Sequence, residues 1–325
     1  MTVLQLQWLG QAGGWGWNMP QSCDGQGCSS VELLEIYRDL SASCLTTAFI
    51  LTQRNAACQR LLHAGAEVVS AQLQQDLAAG KALATVGISH LTTSRQYLSR
   101  PTVLAEPVAG GRRLTGTVPW ATGANSSEWL VTGATAPAGL QFLALLSLRQ
   151  PAIAVRSPAE LLGLSAACTS EAELSGVLVP QGAVLQGPSE RVPAGGEGVV
   201  PAAGSLSTSA VALSFVAGAL AGFGAEAERR AELSPYVQRL DLESRGLWEQ
   251  LQRSATGVGG AGELTAEQLQ LRANSLALRT AQAWLAATCG GDYQQSHPAS
   301  RAVRESLFFW CGRVLRRCWK ASSRN

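Results

Sequence analysis

The stretch GTVPWATGANSSEWLVTGA, residues 116–134, contains the residue types best suited to holding a ligand. Two apolar runs flank the polar tetrapeptide Ala124–Ser127, and this pattern predicts a β-hairpin. Trp120 and Thr122 are two positions apart, so on a strand their side chains point to the same face. An indole offers a broad apolar surface and a hydroxyl offers a hydrogen bond, which together suit a flat ligand. The alternative is a core tryptophan beside a cross-strand threonine, and the sequence pattern alone favours this alternative.

Other residues with reactive or metal-binding side chains are few. The chain has eight cysteines and three histidines, and no Cys-x-x-Cys occurs. Cys23 and Cys28 flank four residues, which is a poor zinc spacing without nearby histidine or cysteine partners. His297 precedes Pro298 and is interpreted as a lone turn residue. The sequence therefore predicts no metal site, and it predicts reduced, mostly buried thiols of the kind typical of a cytoplasmic protein.

Composition and charge exclude some partners. A hydrophobic content of 46% with only 15% charged residues indicates large buried helix faces rather than disorder. The formal net charge of +2 gives no electrostatic reason to expect a nucleic-acid partner. The uncharged run Thr208–Ala225 has about the shortest length that spans a bilayer. Because it contains serine and several glycines and leads directly into the charged residues 226–230, we interpret it as a buried bundle helix and predict no membrane span.

The chain divides into three zones of different composition. They are a glycine-rich and then helical zone, a zone of short apolar runs between Gly, Pro and Thr, and a zone of long helical segments: residues 1–81, 82–202 and 203–325. The last zone is predicted to contain three or four long helices, over Ser205–Ala225, Ala227 to about Ser254, Thr265–Thr288 and Ala299–Lys320. Within these zones Gly110–Gly111 predicts a hairpin turn, and Thr265 with Gln268 predicts a capping box. The order predicts an α+β chain with an N-terminal helical domain, a middle antiparallel β domain and a C-terminal helical bundle.

This domain order and five local stretches resemble the acyl-CoA dehydrogenase superfamily over most of the chain. GGWGWNMPQSCDGQG is similar to the family's Gly-x-x-x-x-Val-Pro-x-x-Tyr-Gly-Gly-x-Gly. LATVGISHL stands where the family has a Leu-Thr-Glu-Pro stretch followed by Gly-Ser-Asp. LTGTVPWATGANSSEWLVTGA resembles Leu-x-Gly-x-Lys-x-Trp-Ile-Thr, and SAACTSEAELSGVLVP resembles the strand that leads to Asp-Val-x-Val-Pro. CGGDYQQSHPASRAVRES resembles the late Gly-Gly-x-Gly-Tyr and Arg-x-x-Arg-Asp motif. The resemblance implies an FAD cofactor between the three domains.

Five cofactor-binding residues follow from the resemblance: Thr85, Gly87, Ser89, Trp120 and Thr122. Trp120 and Thr122 would contact the flavin ring, which is flat and carries donors and acceptors at its pyrimidine edge. Thr85 would offer its hydroxyl and backbone from the neighbouring strand. Gly87 would allow close approach, and Ser89 would lie near the phosphates.

The sequence also departs from the family pattern. No Glu-Pro follows Gly87, and His90 stands at the place of the family's aspartate. The family's catalytic glutamate, which needs a raised pKa in an apolar site, corresponds in position to Arg313. Asp292 and Glu305 are the nearest carboxylates and are interpreted as structural, with Glu305 paired to Arg301 or other neighbours on its own helix. The catalytic residue is therefore not assigned.

Three functions remain open. The first is an FAD-dependent oxidoreductase that acts on the CH–CH group of an acyl thioester, with acyl-CoA or another small molecule as substrate. The second is a flavin-dependent monooxygenase of the same fold, which needs no base for the α-proton. The third is a non-catalytic remnant that serves as an oligomerisation module, which the lost glutamate and a start inside the first helical domain both favour. In each case the bundle is expected to form a homo-oligomer, whether dimer or tetramer.

Overall fold

The computed structural model describes residues 3–65, 67–92, 98, 100–190, 192, 203–257, 263–288 and 294–310. The helices in these ranges are α1 (Val3–Gln11), α2 (Ser30–Ser43), α3 (Leu45–His63), α4 (Ala71–Ala78), α5 (Ser89–Thr92), α6 (Ala203–Arg229), α7 (Ser234–Thr256), α8 (Ala266–Ala287) and α9 (Pro298–Trp310). The strands are β1 (Ala84–Gly87), β2 (Val103–Val108), β3 (Gly111–Thr122), β4 (Trp129–Thr135), β5 (Gln141–Ser147), β6 (Ile153–Val155), β7 (Thr169–Pro180) and β8 (Val184–Ser189). The predicted α+β class is confirmed.

The chain forms two compact units, each assembled from separate segments. The first unit consists of Met1–Ser29, Ile50–Glu160 and Ser165–Ala203. The second unit consists of Ser30–Phe49, Leu161–Leu164 and Gly204–Asn325. All eight described strands belong to the first unit, and α6 to α9 belong to the second apart from the first residue of α6. The boundaries near residues 81 and 202 that composition suggested stay a prediction.

The first unit contains one eight-stranded sheet. Its strand order is β6-β7-β3-β2-β4-β5-β8, and β1 pairs with β4 outside this path. The pairings are antiparallel except that both β1 and β2 run parallel to β4. The hairpin predicted at Gly110–Gly111 is confirmed, because Val108 pairs with Gly111 across a two-residue turn. Gly110 has a φ of 75°, in the left-handed region that glycine adopts without steric cost.

The second predicted hairpin, over residues 116–134, is wrong. β3 pairs with β2 and β7, whereas β4 pairs with β5, β1 and the end of β2. The chain turns at Gly123, whose backbone N–H donates to the carbonyls of Ala167 and Cys168 at 3.1 Å each. These bonds hold the turn to the segment before β7, and the short 3₁₀ turn Ala124–Ser126 then carries the chain to a different place in the sheet. A polar turn between two apolar runs does not reveal which partners those runs choose.

Two hydrophobic clusters bury the faces of this sheet. One lies among the strands and includes Leu114, Leu130 and Phe142. The other joins β1 and β4 to α3, α4 and the segment before α2, and it includes Met19, Leu61, Leu77, Val86 and Val131. All four residues of β1 are buried, since the strand is covered on both faces. This burial fixes β1 firmly at the position where it meets the end of β3.

The second unit is mainly a helical bundle. α8 packs against both α7 and α9, and the guanidinium of Arg279 on α8 donates to both carboxylate oxygens of Glu243 on α7, at 3.1 and 2.6 Å. The rings of Phe215 on α6 and Phe309 on α9 lie 5.6 Å apart. Asn274 Nδ2 on α8 donates to the carbonyl of Phe309 at 3.0 Å. These contacts join α6, α7, α8 and α9 into one core.

The predicted helix ends differ in part from those observed. The capping box of Thr265 and Gln268 is confirmed, with the side chain of each bonded to the backbone N–H of the other. The predicted break near residue 226 is wrong, because α6 continues to Arg229 and α7 starts at Ser234, beside Pro235. Charged residues alone do not end a helix, whereas proline is well accommodated in a first turn. The predicted continuation of the last helix beyond Trp310 lies outside the described residues.

Helix α6 also contains the most apolar long stretch of the described chain. Its segment Leu206–Arg229 is long and apolar enough to cross a membrane by length and composition. The most apolar 18-residue window of this segment has a mean hydropathy of 1.7 and is 61% buried. A core helix of a folded bundle meets the same two criteria. The absence of a membrane span therefore stays a prediction.

Candidate functional site

The C-terminal end of β3 lies against β1, and a side-chain hydrogen bond joins them. Thr85 Oγ1 donates to the carbonyl of Thr122 at 2.7 Å, and Thr85 is buried. The register places Thr85 opposite Leu130 of β4, so the parallel β1–β4 pairing brings β1 to the last residue of β3. Two of the residues singled out in the sequence, 37 positions apart, are thus in direct contact.

Gly87 lies at a close approach of β1 to β3. A Cβ atom at Gly87 would be 2.6 Å from Val118 Cγ1 and 3.3 Å from the carbonyl oxygen of Trp120. The first distance is shorter than real Cβ contacts allow. The close approach expected at this glycine is therefore an approach to β3, within the protein itself. Ser89 follows Gly87 by two positions and is the first residue of α5.

Thr122 has a second polar neighbour that the sequence did not indicate. Its Oγ1 lies 3.0 Å from Thr169 Oγ1, and both residues are buried. Either hydroxyl can be the donor, so this bond uses one of the two hydroxyl protons and leaves the other for a further acceptor. Thr169 is the first residue of β7 and pairs with Thr122 in the sheet register, which only the tertiary structure reveals.

Trp120 differs from Thr122 in its environment. The indole is 43% exposed, whereas the adjacent Ala121 is completely buried. The pairing of β3 with β7 is irregular between Val118 and Ala121, where β3 has one residue more than its partner. Such bulges redirect a side chain locally. The strand therefore presents a large aromatic surface to the exterior of this unit, which is the type of surface that a flat ring can cover.

A small cleft of about 20 Å³ opens beside the two threonines. The residues that line it are Leu6, Trp15, Ile50, Arg54, Leu83, Ala84, Thr85, Thr122, Gly123, Ser126 and Ser127. None of these described residues carries a carboxylate or an imidazole. Arg54 is therefore the one charged side chain in the described lining, and no motif marks it. Trp15 lies within the stretch GGWGWNMPQSCDGQG, but the sequence assigned it no role in the site.

Glu305 and His90, which were discussed from the sequence, do not line this cleft. Glu305 Oε1 lies 3.8 Å from Arg301 Nε, so the predicted pair on α9 is confirmed. Burial raises the pKa of Glu305 above its ordinary value, and the nearby charges of Arg301 and Arg304 oppose that rise. His90 is buried, and its Nε2 lies 2.9 Å from the carbonyl of Gly133.

Asp292 and Arg313 lie outside the described residues. In the part of the chain that the structure describes, no three His, Cys, Asp or Glu side chains are grouped to hold a metal ion.

No protein-family model and no curated protein matches this sequence. Solved structures do match. Glutaryl-CoA dehydrogenase from Mycobacterium smegmatis in complex with FADH2 has a TM-score of 0.76 at 17% identity, covering 93% of this chain and 80% of that one. KijD3 in complex with dTDP has a TM-score of 0.76 at 18% identity, covering 95% and 84%. The ChsE4–ChsE5 complex from Mycobacterium tuberculosis has a TM-score of 0.74 at 20% identity, covering 98% and 87%. These likenesses establish the acyl-CoA dehydrogenase fold, and at this level of fold the resemblance inferred from the sequence is confirmed.

Proposed function

We propose that this chain binds FAD and is an oxidoreductase of the acyl-CoA dehydrogenase type, acting on the CH–CH group of an acyl thioester. The observation that carries the proposal is the junction of β1 and β3, where an exposed indole at Trp120 lies two residues from the hydroxyl pair of Thr122 and Thr169. A glutaryl-CoA dehydrogenase of the same fold is in complex with FADH2, which supports FAD as the cofactor here.

The residues at this junction fit a flavin. The indole of Trp120 offers an apolar surface for a flat ring, and the hydroxyl pair has one proton free for an acceptor at the ring's edge. The bond from Thr85 to the backbone of Thr122 holds that hydroxyl pair in place from the neighbouring strand. When bound, FAD would supply the acceptor for hydride or electrons. The chain's own contribution is to bind and orient the ring on a rigid sheet edge.

Removal of an α-proton needs a base, and none of the described residues that line the cleft is a carboxylate. This observation favours a second function, a flavin-dependent monooxygenase of the same fold, for which no such base is required. KijD3 has this fold and is in complex with dTDP, which supports ligands other than a CoA thioester. A non-catalytic subunit that serves as an oligomerisation module is the third function, supported by the lack of a carboxylate among the described cleft residues and by the fact that ChsE4 and ChsE5 form a complex.

Reduction of the bound cofactor separates these functions. The full chain is purified with added FAD, desalted and made anaerobic, and its absorbance near the flavin band is followed after addition of a saturated short-chain acyl-CoA. Bleaching of the band is the result expected for the dehydrogenase. Bleaching only by NADH with an added flavin reductase, followed by oxygen uptake, would reject the dehydrogenase and support the monooxygenase. If the chain retains FAD but shows neither reaction, the result would support the function as a non-catalytic subunit.

We also propose that the chain is a cytoplasmic homo-oligomer assembled through the bundle of α6 to α9. Light scattering coupled to size-exclusion chromatography measures the mass directly. A mass of two or four chains of 34.0 kDa is expected, and a monomer over the full concentration range would overturn this proposal.

A further inference from the structure

A groove of about 490 Å³ lies on the second unit, between α6 and α7. All of its lining residues belong to that unit. Its floor is one face of α6 and consists of apolar side chains only: Leu213, Ala217, Leu220 and Ala221. Ala217 and Ala221, one turn apart, are exposed although they lie on the most apolar long stretch of the described chain. An apolar face that is left uncovered in this way indicates an interaction surface.

The walls of the groove come from α7 and from one residue of α2. Trp248 of α7 is 8% exposed, and the guanidinium carbon of Arg38 on α2 lies 4.8 Å from the centre of its ring. The rim belongs to α7, where polar and charged side chains recur at helical spacing: Gln238, Asp241, Arg245 and Glu249. Leu242, next to Asp241 in the sequence, is 69% exposed. An apolar floor with a polar rim is the arrangement that receives a helix in a groove.

The rim is complementary to a second copy of itself. If a second α7 lies antiparallel over the groove, with a two-fold axis midway between Asp241 and Arg245, each Asp241 faces the Arg245 of the other copy. In the same register Gln238 lies within one position of Glu249, so an amide donor meets a carboxylate. The symmetry repeats both contacts. An axis through Arg245 would instead place arginine against arginine and Asp241 against Glu249, which is repulsive. The charges therefore favour one register.

The same register also buries the exposed leucine. Leu242 is about one position from the axis, so the two copies of Leu242 would meet there and cover the alanines of α6. Small side chains such as Ala217 and Ala221 let a second helix approach closely. Asp241 and Arg245 form an ion pair within one chain at 2.5 Å, but their side chains are 44% and 67% exposed. Both therefore remain accessible to a second copy.

We propose that two copies of this chain associate through the groove, with α7 of each copy seated between α6 and α7 of the other. This inference rests on the proposed homo-oligomer and deepens it by naming the contact surface. None of the five predicted flavin-binding residues lines the groove, so the contact does not depend on FAD.

Reversal of single charges tests the register. Light scattering coupled to size-exclusion chromatography gives the mass of the full chain, of Asp241→Arg, of Arg245→Asp and of an equimolar mixture of the two variants. Each variant alone places like charges across the two-fold axis, so we expect association about tenfold or more weaker and a mass reduced to half. In the mixture the charges of one variant complement those of the other, and the mass of the unmodified chain should return.

The mixture separates the contact between copies from the ion pair within each chain, because mixing cannot repair the latter. Arg239→Asp is the control, since Arg239 is exposed on α7 and does not line the groove. Its mass should equal that of the unmodified chain. Failure of the mixture to recover the mass that both variants lose would overturn the proposed register.

Ala221→Trp tests the groove by volume rather than charge. Ala221 is exposed, so the larger side chain fills the groove without entering the core, and the mass is again expected to fall to half. Circular dichroism and urea unfolding establish that each variant is folded.

The outcomes distinguish this inference from the proposal on which it rests. A monomer at every concentration of the unmodified chain would overturn both. An oligomer whose mass none of these variants changes would overturn the groove contact and retain a homo-oligomer formed through another surface. A monomer that binds the apolar dye ANS, with binding lost in Ala221→Trp, would assign the groove to a different partner and overturn its occupation by a second copy.

Discussion

Thr85 Oγ1 on β1 donates a hydrogen bond to the carbonyl oxygen of Thr122, the last residue of β3, at 2.7 Å. Both residues are buried, with Thr85 2% and Thr122 6% exposed. The bond fixes the end of β3 against a strand that is itself covered on both faces. It thereby holds Trp120 and the Thr122–Thr169 hydroxyl pair in one place, which is the placement that the proposed cofactor binding requires.

Thr85→Val tests this bond. The substitution keeps the size and branching of the side chain but removes its donor, and it leaves a buried carbonyl without that partner. We expect the free energy of unfolding to fall by about 1–2 kcal/mol, measured by urea denaturation. Thr115→Val, at an exposed position of β3, is the matched control and should change stability by less than about 0.5 kcal/mol. Equal losses in the two variants would show that the bond has no special effect.

Gly87→Ala tests the close approach of β1 and β3. The added Cβ would lie 2.6 Å from Val118 Cγ1 in a buried strand, and overpacking of this kind costs about 1–3 kcal/mol. We expect the variant to lose stability by this amount and to retain FAD less well. Gly182→Ala is the control, since a Cβ there meets no atom within 4 Å. If both variants are as stable as the unmodified chain, the packing at Gly87 is looser than described.

Trp120→Ala tests the exposed indole. Because the side chain is 43% exposed, its removal should affect folding much less than ligand binding. Loss of a ring contact of about 1.5 kcal/mol would weaken FAD binding about tenfold or more, as measured by quenching of flavin fluorescence. Trp8→Ala removes an indole that is 57% exposed on α1 and should leave FAD affinity unchanged. An equal effect of the two variants would remove Trp120 from the site.

Glu305→Gln tests the raised pKa on α9. A carboxyl with a higher pKa in the folded chain binds its proton more tightly there than in the unfolded chain, so its contribution to stability falls as pH rises above the ordinary value of 4.5. Unfolding midpoints between about pH 4 and pH 8 should therefore decline less for Glu305→Gln than for the unmodified chain. Glu232→Gln, which removes an exposed carboxylate, serves as the control for net charge. A steeper decline for Glu305→Gln would give the opposite sign and contradict the burial effect.

The alkylation rate of Cys58 tests how tightly the core between α3 and the sheet is packed. Burial raises the pKa of its thiol, an effect larger than the opposing charge of Arg54, and the residue is completely buried. The raised pKa keeps the thiol protonated and burial keeps reagents away from it, so the reactive thiolate is suppressed. In the folded chain, mass spectrometry of alkylated peptides should find Cys58 modified far more slowly than the half-buried Cys44, and equally fast in urea. Rapid modification of Cys58 without denaturant would show that this core opens readily.

Much of the fold follows from local pattern, and the wrongly predicted hairpin depends on contacts far along the chain. The Gly110–Gly111 hairpin and the Thr265 capping box depend on neighbouring residues only, and both are present as predicted. The hairpin over residues 116–134 fails because strand pairing is decided by partners far along the chain, here β2 and β7 for β3. Alternation of apolar residues shows that a strand forms but does not identify its neighbour.

The candidate site likewise contains residues that the sequence indicates and residues that only the tertiary structure reveals. Thr85 and Thr122 were selected by resemblance, and the structure brings them into contact. Thr169 contributes a hydroxyl that no motif marks, because it meets Thr122 only through the register of β7. Arg54 lies on α3 between Gln53 and Asn55, where an arginine would usually be taken for a surface side chain. Its burial arises from the packing of α3 and α4 on the sheet, a tertiary effect that a single sequence does not show.

The most direct test of the central claim is the FAD content of the purified full chain after incubation with FAD and removal of unbound cofactor. The absorption spectrum and the fluorescence of FAD released by heating are measured against protein concentration. We predict a flavin spectrum with close to one FAD per chain, reduced sharply in Trp120→Ala and unchanged in Trp8→Ala. A colourless chain that retains no FAD, while still folded by circular dichroism, would contradict the account.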